Sequence, residues 1–430
     1  WRRLGAQVNT FPSNDIRNAQ EGEVVENTPS FDNTTGLVSY FGRLNYNFDD
    51  RYLLTATIRR DGSSLFREDL RWGNFPSFAA GWNISNEQFM SSVSWIDGLK
   101  LRASYGEMGS NNAPPYVGDA EINVNSTYPL DATQGQTRIP GYSITKAVNE
   151  NLKWETTKIT DIGVEFGLFN ADLLITMDYF IKESQDVIAP YTPPPWQGRS
   201  GTADYNMASV ENKGFEFTAD YQKSFGELNL GANLNFTILD NKVTDVGFSG
   251  PIIGGGFTSN GRAASLTQTG LPIAAFWGLK VEGIYQSEQE AIDDGRYILS
   301  DPDDPGSEKI ATAGGGDLNF EDLDGIPGLS DDDMQYLGSP IPDFEYGLNL
   351  TGDYKGFDFT MFFNGVSGNK IVNGNTFRAW FENDNNVYAS MVDAWTPDRP
   401  STTMPRYTVQ DLGQNGTRMS DFLLECGSYF

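Results

Sequence analysis

Apolar and polar residues alternate one by one along much of the chain. Ile162, Val164, Phe166 and Leu168 interleave with Asp161, Gly163, Glu165 and Gly167, and Leu228, Leu230, Ala232, Leu234 and Phe236 with Asn229, Gly231, Asn233 and Asn235. Phe344, Tyr346, Leu348 and Leu350 alternate in the same way with Glu345, Gly347, Asn349 and Thr351. Successive side chains on a strand point to opposite faces, so each segment predicts a strand with one oily and one wet face. A sandwich satisfies such strands by burying the oily faces between two sheets. A membrane barrel satisfies them by turning the oily faces to lipid around a polar lumen. Periodicity alone leaves both open.

The connections separate the two. Leu37 to Phe48 and Arg51 to Arg60 read as a hairpin closed at Asp49 and Asp50, and short connections recur at Asn170 and Ala171, from Gln222 to Gly226, and at Lys355 and Gly356. Trp72 to Ile84 and Leu99 to Tyr105 add strands on either side of a helical turn expected at Asn86 to Val93. At the other ends the connections are long and polar: Gly106 to Asn151, Ala189 to Met207, Asn241 to Ala274, and from Asn369 onward. Compact soluble domains mostly connect their elements with about four to six residues. Short turns on one rim and long loops on the other are the ordinary plan of a membrane barrel. The fold expected is therefore all-β, an antiparallel transmembrane β-barrel with short periplasmic turns and long extracellular loops. One parity problem remains, because Phe276 to Tyr285 is a single strand candidate between Leu228 to Ile238 and Phe344. Either it finds a partner near Asp317 to Phe320, or it belongs to an extended loop.

Composition narrows the chemistry. The formal net charge is -28, from Lys+Arg 30 and Asp+Glu 58, which argues against a nucleic-acid partner and against a polybasic membrane-surface binder. No apolar run is long enough for a spanning helix, which is neutral for a barrel. With His 0 and only Cys426, histidine triads, histidine metal sites, thiolate clusters and an internal disulfide framework are excluded. Paired carboxylates of the glycosidase kind are unavoidable among 58 acids and carry no weight. Between Tyr285 and Asp333 fifteen acids stand against Arg296 and Lys309, which marks 286–335 as an acidic external loop.

Ordered phrases along the hairpins carry a resemblance. RYLLTATIRRDGSS from Arg51 to Ser64 is followed by RWGNFPS from Arg71, AGWNI from Ala80 and LKLRASYG from Leu99. NLKWE from Asn151, VENKG from Val210 and GSPIPDF from Gly338 complete the series. In this combination and order the chain resembles the SusC/RagA-like TonB-dependent outer-membrane transporters of Bacteroidetes. The resemblance covers most of the chain from about residue 36 to 370. It implies energy-dependent import of nutrients, oligosaccharides or oligopeptides, as the SusC-like channel of a SusC/SusD pair in the cell outer membrane, with no catalysis and no obligatory cofactor. The implied partners are a SusD-like surface lipoprotein, the TonB-ExbB-ExbD system acting through an N-terminal region, and outer-membrane lipid. Such transporters have about 22 strands around a plugged lumen, and this sequence shows about eleven or twelve. It opens at Trp1 without an initiator Met, and Ser428 to Phe430 looks like the start of another strand. It is therefore expected to be an internal barrel piece, with residues 1–35 a polar lead-in after a plug and 36–430 a partial barrel.

Individual residues have local readings. Trp72, Trp82 and Trp154 suit an interfacial aromatic girdle. Tyr191, Trp196 and Trp380 fall in expected external loops, where their faces could stack on sugar rings, and Pro193, Pro194 and Pro195 would stiffen the first two. Asp322, Asp324 and Asp333 approximate the first, third and twelfth positions of a calcium loop. Ile326 stands there in place of a further acid and Pro327 in place of the loop glycine; the alternative is a solvated acidic loop. The rival for the whole chain is a secreted all-β glycan-binding or glycan-cleaving protein. The direction of Ile162, Val164, Phe166 and Leu168 separates the two readings: buried between sheets, or forming an outward belt about 25 Å tall.

Overall fold

The computed structural model describes residues 34–113, 122–129, 138–144, 149–191, 194, 202–256, 263–300, 304–381, 389–407, 415–416 and 418–430. Among them ten strands form one sheet in strict sequence order. These are β1 (Leu37–Phe48), β2 (Tyr52–Ser63), β3 (Trp72–Asn83), β4 (Ile96–Ser110) and β5 (Glu155–Leu168). They continue as β6 (Leu173–Tyr191), β7 (Ala203–Phe225), β8 (Leu228–Asp245), β9 (Phe344–Tyr354) and β10 (Phe357–Ser367). By contact density the chain divides into two compact units. The first is Trp1–Ala80 with Ser104–Thr160 and Ser184–Ala208; the second is Gly81–Ala103 with Asp161–Glu183 and Ser209–Phe430.

Local chemistry explains the short turns. Asp49 (φ 56°) and Asp50 (φ 50°) both take the left-handed conformation that a two-residue hairpin matched to strand twist requires, and Asp is one of the few side chains that tolerates it. The Asn47 carboxamide braces the turn by accepting from the Asp50 amide at 3.0 Å. Lys355 (φ 51°) and Gly356 (φ 83°) repeat the geometry between β9 and β10. In the second unit the short connections share one rim: the Phe169 amide donates to the Trp95 carbonyl at 3.4 Å, and the Gln222 amide to the Asp172 carbonyl at 2.8 Å.

The structure departs from expectation on the long-loop side. β6 and β7 run far past the roughly 9–11 residues needed to cross a bilayer, so both ends of the loop expected from Ala189 to Met207, residues 189–191 and 203–207, are strand. The segment from Gly106 to Asn151 likewise contains a hairpin, Ile122–Pro129 with Arg138–Ile144. The parity problem resolves inside a loop. β8 pairs directly with β9, Ile238 opposite Phe344. Phe276 to Tyr285 splits between two small sheets, Ala275–Gly278 against Gln335–Gly338 and Val281–Ile284 against Leu318–Phe320. The main sheet thus has ten strands among the described residues, below the eleven or twelve expected, because that candidate lies outside it. On the open edge of β10, Val366 and Tyr429 exchange both backbone hydrogen bonds at 3.1 Å, in keeping with a strand beginning near Ser428.

The long connection from β8 to β9 has a core of its own. Leu279, Ile284, Leu318 and Phe320 are buried together, with Trp395 and Phe422 of the segment after β10 packed on them. Phe276 is buried with Phe377, Met419 and Leu423 of that same segment. A short helix, α1 (Glu288–Asp293), starts from a variant of the capping box: Ser287 Oγ accepts from the Glu290 amide, and the Gln286 amide, one residue before the cap, donates to Glu290 Oε2 at 2.6 Å.

Candidate functional site

The two faces of the sheet differ as the alternation requires. In the first unit Leu44 lies opposite Ala56, Tyr46 opposite Leu54 and Phe48 opposite Tyr52, all but Ala56 exposed. In the second unit Leu234 lies between Ala219 and Leu348, and Phe236 between Phe217 and Tyr346. Leu350 faces Met361, and Leu348 faces Phe363. Ile162 is 54% exposed and Val164, Phe166 and Leu168 are half-buried, whereas Gly163 and Gly167 on the opposite face are buried. No described sheet covers the apolar row, which excludes the sandwich. Aromatic residues also cluster on neighbouring strands, as in the aromatic girdles of a membrane barrel. Phe236 stacks on Phe217 at 5.0 Å and lies 5.9 Å from Phe344, which stacks on Tyr346 at 5.9 Å. Tyr40 stacks on Trp72 at 6.1 Å, with the Arg60 guanidinium 5.1 Å from the Trp72 ring centre. At the short-turn end Phe48 stacks on Tyr52 at 6.4 Å.

The wet face is a hydrogen-bonded lattice. Asn229 Nδ2 donates to Asp353 at 3.1 Å, Asn233 Nδ2 to Asp220 at 3.2 Å, and Ser224 Oγ to Asn229 at 2.6 Å. They belong to a polar surface with a recess of about 770 Å³ lined by Asn229, Thr351, Asp353 and Thr360 among others. Farther along, Arg102 gathers three carboxylates: Asp178 at 2.6 Å, Glu165 at 3.1 Å and Asp161 at 3.4 Å. Gly163 makes room for them, since a Cβ there would lie 1.9 Å from Asp178 Oδ1 and 3.0 Å from Arg102 Nε.

In the first unit an apolar cluster sits against the wall. Phe66, Phe75, Leu152 and Trp154 are buried together, with Trp154 5.5 Å from each phenylalanine ring and its Nε1 donating to the Arg71 carbonyl at 2.8 Å. Trp154 therefore belongs to this cluster and not to the interfacial girdle that its sequence position suggests. Trp72, in contrast, stays partly exposed and stacks on Tyr40. Beside the cluster, Asn206 receives the Lys153 amide at 2.8 Å and donates to the carbonyls of Lys153 and Asp186. The last of these holds a left-handed residue inside β6, Asp186 at φ 56°.

The loop mass of the second unit is tied by an ion pair between a buried carboxylate and a partly exposed guanidinium. Asp317 is 0% exposed and accepts from Arg406 Nε and Nη2, both at 2.7 Å, and from Asn415 Nδ2 at 3.0 Å. Asn415 Oδ1 in turn takes the Leu318 amide at 2.7 Å. Nearby, the Tyr285 hydroxyl donates to Asp294 at 2.7 Å, and burial together with that carboxylate pushes its pKa well above the ordinary phenol value.

The comparisons with known proteins agree with this architecture. The family described as TonB dependent receptor-like, beta-barrel, matches residues 1–414. The chain belongs to that family. TonB-dependent receptor P3 of Formosa agariphila is 33% identical over 94% of this chain and 39% of its own length, and SusC of Bacteroides thetaiotaomicron is 29% identical over 91% and 36%. Among solved structures the RagAB peptide transporter superposes with a TM-score of 0.71 at 22% identity, covering 97% of this chain and 43% of that one. The chain thus spans well under half the length of the relatives it matches. It forms antiparallel barrel wall of a TonB-dependent receptor, an outer-membrane fold.

Within this receptor wall the sequence-derived residues are placed as follows. Tyr191 ends β6 instead of lying in a loop, half-buried and edge-on to Tyr205 at 5.7 Å. Trp196 lies outside the described residues. Trp380 lies in a second helix, α2 (Gly374–Phe381), is 4% exposed, and packs edge-on against Phe422 at 6.2 Å, so its ring offers no open face in this conformation. Asp322, Asp324 and Asp333 do converge, with one carboxylate oxygen of each within 4.8 Å of the others. Gly325 donates to Asp322 at 2.7 Å and Ile326 to Asp324 at 2.7 Å, and the buried Asp333 accepts amides from Ser330 at 2.8 Å and Leu323 at 3.1 Å. Burial would raise the Asp333 pKa, but these amides outweigh it and hold the group below the ordinary carboxylate range. The Asp317 and Arg406 pair has no sequence motif, since the partners lie far apart in the chain. The capping box before α1, in contrast, is readable in Ser287 and Glu290.

Proposed function

We propose that this wall serves TonB-dependent import of oligomeric polar nutrients, oligosaccharides foremost and oligopeptides second, as the SusC-like half of a pair with a surface lipoprotein lid. The observation that carries the reading is the wet face. Its Asn, Asp, Thr and Gln side chains offer donors and acceptors at close spacing, suited to many weak contacts with a solute that must also leave. RagAB is a peptide transporter by its description and supports the peptide arm, while the kinship with SusC supports pairing with a lid. Energy would come from TonB through parts of the protein other than this wall. Nothing in this role needs a catalytic residue. The test is deletion of the gene followed by growth on defined oligosaccharides or oligopeptides as sole carbon source. Loss on one substrate class, restored by the intact gene and not by a form unable to engage TonB, is the expected result. Unchanged growth and uptake on both classes overturns it.

The convergence of Asp322, Asp324 and Asp333 supports calcium as a structural ion of the acidic loop. The donor set is all oxygen and one member is buried, as a hard cation prefers. Bound calcium would offset most of the negative charge of the cluster and tie the turn at Asp322 to Asp333. Calcium is expected to raise the thermal midpoint of the loops in the purified full-length protein, and D322N/D324N to abolish that shift. An equal shift in the variant assigns the calcium elsewhere.

A further inference from the structure

Within the loop mass of the second unit, Tyr297–Leu299 and Lys309–Ala311 form a hairpin that pairs with no other described strand. Ile298 and Ile310 stand directly opposite each other on it and are 56% and 47% exposed. An isolated two-stranded ribbon is marginal in water, and proteins usually blunt such ribbons with charge. Here the outward pair is instead two isoleucines. The ribbon is anchored at its base: the Arg296 amide donates to the Ala291 carbonyl at 2.8 Å, Thr312 to Arg296 at 2.9 Å, and Gly328 to Gly295 at 2.9 Å. Arg296 itself is buried, its guanidinium 5.8 Å from the Phe320 ring centre. The isoleucine pair is thus presented on a fixed support.

The charge around the pair is predominantly acidic, with Lys309 the one exposed cation of the ribbon among the described residues. Glu288, Glu290, Asp293, Asp294, Asp304 and Glu308 are all exposed. Of the two cations in the region, Arg296 is buried and the Lys309 ammonium lies over the Tyr297 ring at 4.1 Å. This pattern selects among occupants. Anionic lipid headgroups are repelled by the acidic surround. A second copy of a chain with net charge -28 is repelled likewise. We infer that the Ile298 and Ile310 pair is a docking knob for a protein partner whose contact face is an apolar pocket rimmed by lysine and arginine. The knob supplies the desolvated centre, and the surrounding acids supply steering and a rim that weakens with salt.

The inference rests on the proposed pairing with a surface lipoprotein, and its test separates the two. The full-length receptor is purified from native outer membranes at low and at high salt, and the co-purifying SusD-like lipoprotein is quantified by mass spectrometry. I298E/I310E is compared with V392E, a control at another exposed apolar position. Folding of every variant is checked by heat-modifiable gel mobility. The expected result is a loss of retained lipoprotein of about tenfold or more in I298E/I310E, none in V392E, and weaker retention of the natural protein at high salt. Hydrogen exchange at Ile298 and Ile310 should slow when the lipoprotein is bound. Equal retention by I298E/I310E, or unchanged exchange at the knob, overturns the knob while leaving the pairing intact. Absence of the lipoprotein from the natural receptor overturns both.

Discussion

Replacing Asp317 with alanine is expected to destabilise the loop mass between β8 and β9 by about 1–3 kcal/mol, less than for a fully buried ion pair because Arg406 keeps access to solvent. Asp317 is fully buried and accepts two bonds from Arg406 and one from Asn415, besides the Gly314 amide at 2.9 Å. Without it the Asn415 bond to the carboxylate is lost, and a guanidinium shaped to a carboxylate fork faces an apolar methyl. The residues it joins come from the long connection and from the segment after β10, so the loss falls on the contact between those two segments. Limited proteolysis of full-length protein in detergent should show faster cleavage within 246–343 and 389–430, with barrel mobility on unheated gels unchanged. Unchanged cleavage would show that apolar packing around Leu279 and Phe320 holds the loops without the ion pair.

Leu234→Arg should be the most damaging single change on the outward face, at about 2–4 kcal/mol for a cation near the bilayer midplane. Leu234 sits in the middle of the apolar run of β8, between Ala219 and Leu348 on neighbouring strands. Asn233→Arg, one residue away on the wet face, should be tolerated, because its neighbour there is the Asp220 carboxylate. The measurement is the fraction of full-length protein recovered folded in the outer membrane, together with urea stability after refolding into vesicles. Equal damage from the two substitutions would mean that lipid does not contact this face.

The wall was legible because strand side chains alternate strictly, so Ile162, Leu234 and Leu348 announce their face without any tertiary information. The turns at Asp49 and Asp50 and at Lys355 and Gly356 were legible because Asp and Gly tolerate the left-handed conformation and stand between two alternating runs. Strand length was not. Beyond the bilayer both faces of β6 and β7 become mixed, as in Glu183, Ser184, Gln185 and Asp186, and the alternation that marks a strand disappears while its ladder continues. The loop interior was equally hidden. Trp154 and Trp380 read as exposed aromatics, yet each is buried against residues distant in sequence, Phe66 and Phe75 for one and Phe422 for the other. The converging aspartates were found because the turn that gathers them is local.

The direct pairing of β8 with β9 bears on how the chain finds its fold. Closing a connection as long as 246–343 on an unstructured chain is slow, because contacts distant in sequence must meet before any of them is rewarded. The Leu239 amide nevertheless donates to the Asp343 carbonyl at 2.9 Å, one step beyond the Ile238–Phe344 pair, where the connection re-enters the sheet. The strands from Ala275–Gly278 and Gln335–Gly338 pair inside the connection and draw its ends together. If that small sheet forms first, β8 and β9 meet as neighbours across a short effective gap. In that case the insertion turns a remote encounter into a more local one, and the segment after β10, which supplies Phe377, Met419 and Leu423 around Phe276, would then lock the result in place.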